Sequence, residues 1–207
     1  MSITEKPWYP LAYMFAVTAV FSGVLIGFSA LTQDRVDRNE QIFLQRAILI
    51  ATGAAAENTP GEEISRIFNE RVEPAEKDGI VEYRLKTLDG RLQAIGVPFE
   101  GQGYWDQIRG VLGVNADRKT VTGIAFYQQN ETPGLGGEIV TQQWRSQFPG
   151  KTIAVGDQPL RILQAGQTVG DNAVQAVTGA TQTSVRLERM LNEDLRTWQT
   201  AFTGEGQ

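Results

Sequence analysis

The sequence predicts an α+β fold, a mixed α+β domain carried behind a single N-terminal transmembrane helix. Three observations carry that expectation. Leu11 to Leu31 (LAYMFAVTAVFSGVLIGFSAL) contains no charge, the alternating runs Ile80–Leu88 and Leu92–Val97 flank an Asp89-Gly90 hairpin signal, and Ser184–Phe202 is amphipathic at helical spacing.

The 207 residues suit one domain of ordinary size plus an appendage. Lys plus Arg number 19 against 24 Asp plus Glu, for a net charge of −5, with 41% apolar and 21% charged residues. These values exclude wholesale disorder and a polytopic membrane protein. The mild acidity offers no footprint for nucleic acid. There is no His and no Cys, which removes Ser-His-Asp triads, thiol nucleophiles, disulfides, the usual zinc sites and His-ligated haem. No catalytic residue and no metal site are expected. Carboxylate, hydroxyl, amide and backbone chemistry remain, or the chemistry of a borrowed organic cofactor.

Taken in order, Leu11 to Leu31 covers about 31 Å at ~1.5 Å per residue, the thickness of a bilayer's hydrocarbon core. Trp8, Tyr9 and Tyr13 form an aromatic belt at one end. The rival reading, a secretory signal, fits poorly because Gly27-Phe28-Ser29 is a weak cleavage site. The flanking charges, Lys6 before the span and Arg35 and Arg38 interleaved with Asp34, Asp37 and Glu40 after it, set little orientation. Residues 34–56 read as a stalk helix broken at Asn58-Thr59-Pro60-Gly61, and Glu62–Val72 as a short amphipathic helix. After the hairpin, Ile108–Val114 and Val121–Gln128 read as strands, Val140–Phe148 as a helix stopped by Pro149-Gly150, and Ile153–Val155 and Leu160–Leu163 as short strands. Ser184 is the expected cap of the last helix, with Glu188 in its first turns.

Two segments carry candidate chemistry. In Glu131-Thr132-Pro133-Gly134-Leu135-Gly136-Gly137-Glu138, three glycines in four positions let the backbone approach a flat ligand, although a tight turn needs the same residues. It is neither a P-loop nor a dinucleotide-binding fingerprint. In Val177-Thr178-Gly179-Ala180-Thr181-Gln182-Thr183-Ser184, four hydroxyls precede a helix, as an anion site at a helix N-terminus requires, although plain capping uses one of them.

In this order and at this separation, the two segments resemble those of the FMN-binding subunits of two membrane redox pumps. These are the C subunit of the sodium-translocating NADH:quinone oxidoreductase and the G subunit of the Rnf complex. The resemblance rests on ETPGLGGE and on Thr178-Gly179-Ala180-Thr181, the family's Ser/Thr-Gly-Ala-Thr. Gly103-Tyr104-Trp105 ahead of a strand, Thr120–Tyr127, Trp144 and Phe148-Pro149-Gly150 add to it, and it covers roughly 79–200.

The resemblance implies an electron-transfer subunit of a membrane-bound, ion-translocating complex, with FMN held covalently by a phosphoester on Thr181. The attachment is made outside the cytoplasm by a flavin transferase using FAD and magnesium. Thr178, Gly179, Ala180 and Thr183 then belong to the attachment segment. Glu131, Thr132, Gly134, Leu135 and Gly136 belong to the ring-binding loop, with Trp105 as apolar packing. Expected partners are other complex subunits, the transferase during maturation and the lipid bilayer. The implied organisation is a tail and transmembrane helix over 1–33, a stalk with short helices over 34–78, and an FMN-binding domain over 79–207 on the periplasmic side of the inner membrane. One position departs from the pattern. Where the family has Asp three residues before the Ser/Thr, this chain has Gln175, with Asp171 four residues further back; the change bears on recognition by the transferase more than on ring binding. A membrane-anchored flavin scaffold or sensor outside the electron path is the alternative. A cofactor-free assembly factor has no use for the threonine cluster.

Overall fold

The computed structural model describes residues 6–164 and 166–204, and the side chains of 34–38 lie outside that description. The side chains of the flanking charges Asp34, Arg35, Asp37 and Arg38 therefore lie outside that description. The chain divides into two compact units, Met1–Gln41 and Ile42–Gln207. The first is the leading part of α1 (Tyr9–Ala51). Its segment Tyr9–Gln33 has a mean hydropathy of 2.1 and is unburied, long and apolar enough to cross a membrane. Tyr9 and Tyr13 stack with ring centres 6.3 Å apart, and Trp8 meets Tyr9 edge-on.

The second unit opens on the last turns of α1, where Ala47, Ile48, Leu49 and Ala51 are buried. The helix stops at Ala51, short of the stalk end expected near residue 56, and Gly53 takes a left-handed φ of +75°. Glycine tolerates that conformation, and it lets the chain reverse here. α2 (Gly61–Arg71) follows as the amphipathic pattern predicts, with Ile64 buried.

Five strands then form an antiparallel meander: β1 (Val72–Lys77), β2 (Ile80–Lys86), β3 (Leu92–Gln102), β4 (Gln107–Asn115) and β5 (Val121–Gln128). β1, with Glu73, Pro74, Glu76 and Lys77, has no apolar alternation and escapes a sequence reading; its charges and proline suit an edge strand. The β2–β3 connection is wider than a two-residue turn, since the Thr87 N–H donates to the Arg91 carbonyl at 2.8 Å and Gly90 sits at φ +81°. Strand periodicity sorts the core into two layers. Ile95, Val97, Phe99, Ile108, Leu112 and Ile124 face one side, against α4 (Thr181–Phe202) and the segment 139–177. Ala94, Leu85, Val111 and Ala125 face the other, against α2 and the end of α1.

The long middle segment departs most from expectation. The helix expected over Val140–Phe148 is a 3-10 turn, Gly136–Val140, followed by the single-turn α3 (Gln142–Arg145). Thr141 separates them, its hydroxyl accepting the Trp144 N–H at 3.4 Å. Ile153–Val155 is not a strand; Thr152 makes one bridge to Thr120. β6 (Arg161–Leu163) pairs in parallel with β7 (Ala173–Gln175), a partner too short to leave a pattern in the sequence. α4 begins three residues earlier than expected, at Thr181. Ser184 is therefore no cap: it lies fully buried inside the helix, its N–H bonded to the Ala180 carbonyl. Glu188 accepts the Ile162 N–H at 2.6 Å instead of serving the helix start.

Candidate functional site

Three chain segments converge on a cleft of about 340 Å³: the β3–β4 turn with Tyr104 and Trp105, the loop after β5 with Glu131, Thr132, Leu135 and Gly136, and Gly179–Thr183 at the head of α4. That volume lies within the range of small-ligand sites, roughly 300–1,000 Å³. Its rim is apolar and open, with Trp105 65% exposed, Tyr104 50% and Leu135 45%. The two rings stand edge to face, centres 5.1 Å apart, and the Trp105 indole N–H donates to the Thr132 hydroxyl at 2.9 Å. One turn is thereby tied to the other.

Glu131 lies at the base of the cleft, 4% exposed. Its Oε1 accepts the backbone N–H groups of Tyr104 at 2.7 Å and Trp105 at 3.1 Å, and its Oε2 accepts the Thr183 hydroxyl at 2.6 Å. Gly136 packs where no side chain fits, because a Cβ there would run into the Thr183 hydroxyl and come within 2.7 Å of the Glu131 Oε2. Gly134 takes φ +75°, and its N–H donates to the Glu138 carboxylate at 3.1 Å.

The head of α4 separates anion binding from plain capping. Its N-cap residue is Ala180, which supplies no side-chain cap, and the first internal bond runs from the Ser184 N–H to the Ala180 carbonyl. The leading amides, Thr181 to Thr183, thus lack intrahelical acceptors, and the positive end of the helix dipole is left for an external anion. Thr181 is exposed on the cleft wall, its hydroxyl 3.4 Å from the Gln164 side-chain oxygen. Gly179, at φ +78°, turns the chain into the helix beside Leu135.

Of the residues expected from sequence, Trp105, Glu131, Thr132, Leu135, Gly136, Gly179, Ala180, Thr181 and Thr183 line this one cleft. Gly134 and Thr178 do not; both are exposed beside it. Sequence reasoning missed Tyr104 and Gln182 as wall residues and Gln164 as the neighbour of Thr181. Tyr104 adjoins Trp105 in the turn before β4, a signal that pointed to both. Gln164 carries no signal, because only the short β6–β7 pairing brings it close. Gln175 ends β7. Its carbonyl accepts the Trp144 indole N–H at 2.8 Å and its N–H donates to the Gln147 side chain at 2.9 Å, so its main chain, not its side chain, holds the local structure.

Residues 103–196 match the family model described as FMN-binding domain. The C subunit of the Na(+)-translocating NADH-quinone reductase of Pasteurella multocida is 40% identical over 104 residues, covering 49% of this chain and 40% of that protein. Its counterpart in Neisseria meningitidis serogroup A is 32% identical over 157 residues, covering 68% of this chain and 60% of that protein. The chain thus spans about half the length of these curated relatives. The crystal structure of the corresponding C subunit from Parabacteroides distasonis shares the fold, with a TM-score of 0.65 at 22% identity over 77% of this chain and 92% of that one. With the ETPGLG loop and the Thr-Gly-Ala-Thr segment brought to one cleft, the chain carries a match to the FMN-binding domain and is similar to C subunits of the Na(+)-translocating NADH-quinone reductase.

Proposed function

We propose that this chain is an electron-transfer subunit of a membrane-bound, ion-translocating redox complex and carries FMN on Thr181 through a phosphoester. The observation that carries the reading is the head of α4: an exposed threonine hydroxyl as first helical residue, on the wall of the cleft, beside amides that no side chain caps. A phosphate joined to Thr181 meets those amides and the helix dipole, which stabilise its remaining negative charge.

The rest of the cleft fits the cofactor's other half. Trp105, Tyr104 and Leu135 supply apolar walls for an isoalloxazine ring, with Thr132 and Gly136 of the loop beside them. When bound, FMN supplies the electron chemistry. The protein holds the phosphate, orients the ring and excludes water from one side, while the open rim leaves a face for exchange with a neighbouring subunit. Tyr9–Gln33 anchors the chain in the inner membrane, and the folded unit lies on the periplasmic side, where a flavin transferase loads it from FAD. That unit begins at Ile42 rather than at 79, because the end of α1, α2 and β1 pack into its core instead of forming a connector. Other subunits of the complex are its electron partners.

The test is co-expression with the transferase, followed by in-gel flavin fluorescence and peptide mass mapping. Thr181→Ala abolishes the fluorescence of a folded chain, whereas Ser184→Ala, altered inside the helix, retains it. A flavin-bearing peptide from Thr181→Ala sinks the assignment. Protease added to intact spheroplasts digests the domain; protection there, with cleavage only in inverted vesicles, reverses the orientation.

A further inference from the structure

We propose that Glu131 is the positioning residue of this site: its carboxylate latches the Tyr104-Trp105 turn to the first turn of α4, and its negative charge lowers the reduction potential of a flavin in the cleft. The proposal rests on the FMN reading for its second half and on the protein alone for its first.

The latch is visible in the donors. Two come from the backbone of the β3–β4 turn and one from the hydroxyl of Thr183, so both carboxylate oxygens act as acceptors for groups on separate segments. The surroundings are shaped to the carboxylate. A Cβ at Gly103 would lie 2.5 Å from its Oε1, and one at Gly136 would lie 2.7 Å from its Oε2. Glycine on both sides leaves room for this side chain. Without it, the two backbone N–H groups and the buried Thr183 hydroxyl lose their acceptor at once, and leaving such groups unsatisfied is more costly than the net worth of the bonds.

The charge has a separate consequence. Glu131 lines the cleft and is almost wholly shielded from solvent, so its field is weakly screened there. A fixed negative charge opposes the arrival of electrons on a nearby ring, and its removal favours reduction.

The two roles separate by substitution in the full-length chain purified from membranes. Glu131→Gln keeps an oxygen for the Tyr104 and Trp105 N–H groups and presents its amide to the Thr183 hydroxyl, which can turn to accept. In the flavin-loaded chain, spectroelectrochemical titration gives a more positive midpoint potential for Glu131→Gln than for the wild type. An unchanged or more negative potential overturns the charge role. Without cofactor, amide exchange at Tyr104 and Trp105 speeds up about tenfold or more in Glu131→Ala, while Leu112 in the sheet is unaffected. Thr183→Val, which keeps shape and leaves Glu131 in place, raises exchange at the same two amides across the latch and serves where Glu131→Ala does not fold. Unchanged exchange in a folded variant overturns the latch. A wild-type chain that takes up no flavin counts against the FMN reading, and the exchange measurement still decides the latch.

Discussion

The carbonyl of Ala51, the last residue of α1, accepts the Thr122 hydroxyl of β5 at 2.8 Å. The helix end can come this close because Gly113 of β4 and Gly123 of β5 face it and pair with each other across the two strands. A Cβ at Gly113 would overlap the Ala51 carbonyl itself, and backbone cannot rotate away as a side chain can. Gly113→Ala therefore destabilises the domain by about 1–3 kcal/mol, as overpacking in cores does. Thermal unfolding of the detergent-purified chain measures it; an unchanged midpoint shows that α1 ends elsewhere.

That contact also shows where sequence reasoning stopped. Periodicity found α2, four of the five meander strands and α4, because each carries an apolar face of useful length. It read 34–56 as a free stalk because Ile42, Phe43, Ala47 and Ile50 look alike whether they face solvent or a sheet. Only the glycines at 113 and 123 mark the landing place, and glycine in a strand has several meanings. In the site, the two motifs lie far apart in the chain, and the sequence offered no sign that Glu131 and Thr183 touch. Ser184 passed for a cap because hydroxyls in a row look equivalent until the helix start is known; burial distinguishes them.

Gly136 and Gly134 separate packing from conformation. A methyl group at Gly136 would enter the space of the Thr183 hydroxyl and the Glu131 carboxylate, whereas one at Gly134 would meet nothing within 4 Å and cost only its left-handed φ, about 1 kcal/mol. Gly136→Ala shifts the flavin absorption spectrum and loosens the loop, while Gly134→Ala leaves the spectrum near that of the wild type. Absorption spectra of the two loaded variants test this, and equal spectra refute the distinction.

The resemblance leads to an Asp where this chain has Gln175, and the structural bonds of Gln175 run through its main chain to Trp144 and Gln147. The side chain makes a long contact, 3.4 Å, with the Gln167 carbonyl. Gln175→Asp accordingly leaves unfolding unchanged, and flavin labelling by the transferase stays equal or rises. Time courses of in-gel fluorescence with limiting transferase decide it; slower labelling refutes a recognition role for an acid here.

The pH dependence of stability divides between two carboxylates on opposite courses. Glu82 is buried, and that burial alone would raise its pKa, but bonds from Arg118 at 2.8 Å, Arg84 at 2.8 Å and the Trp198 indole at 2.7 Å outweigh it and hold the carboxyl below the usual glutamate value. Its contribution is present above that usual value and lost as pH falls through the folded one. Asp194 runs the other way. It lines a groove of about 310 Å³ with Phe99, Tyr127 and Trp198. Burial, with the nearby charges of Glu193 and Glu100, pushes it up from 3.8 to about 6, although the Glu100 N–H donates to it at 3.0 Å. The folded state therefore binds a proton that the unfolded state releases, and stability from this group falls as pH rises from about 4 to about 6. Asp194→Asn keeps an oxygen for the Glu100 N–H and carries no charge. Its stability relative to wild type is constant below pH 4, increases through pH 6 and levels off above. Thermal unfolding of both chains from pH 4 to pH 8 measures that difference, and a pH-independent difference shows that Asp194 titrates as an ordinary surface carboxylate.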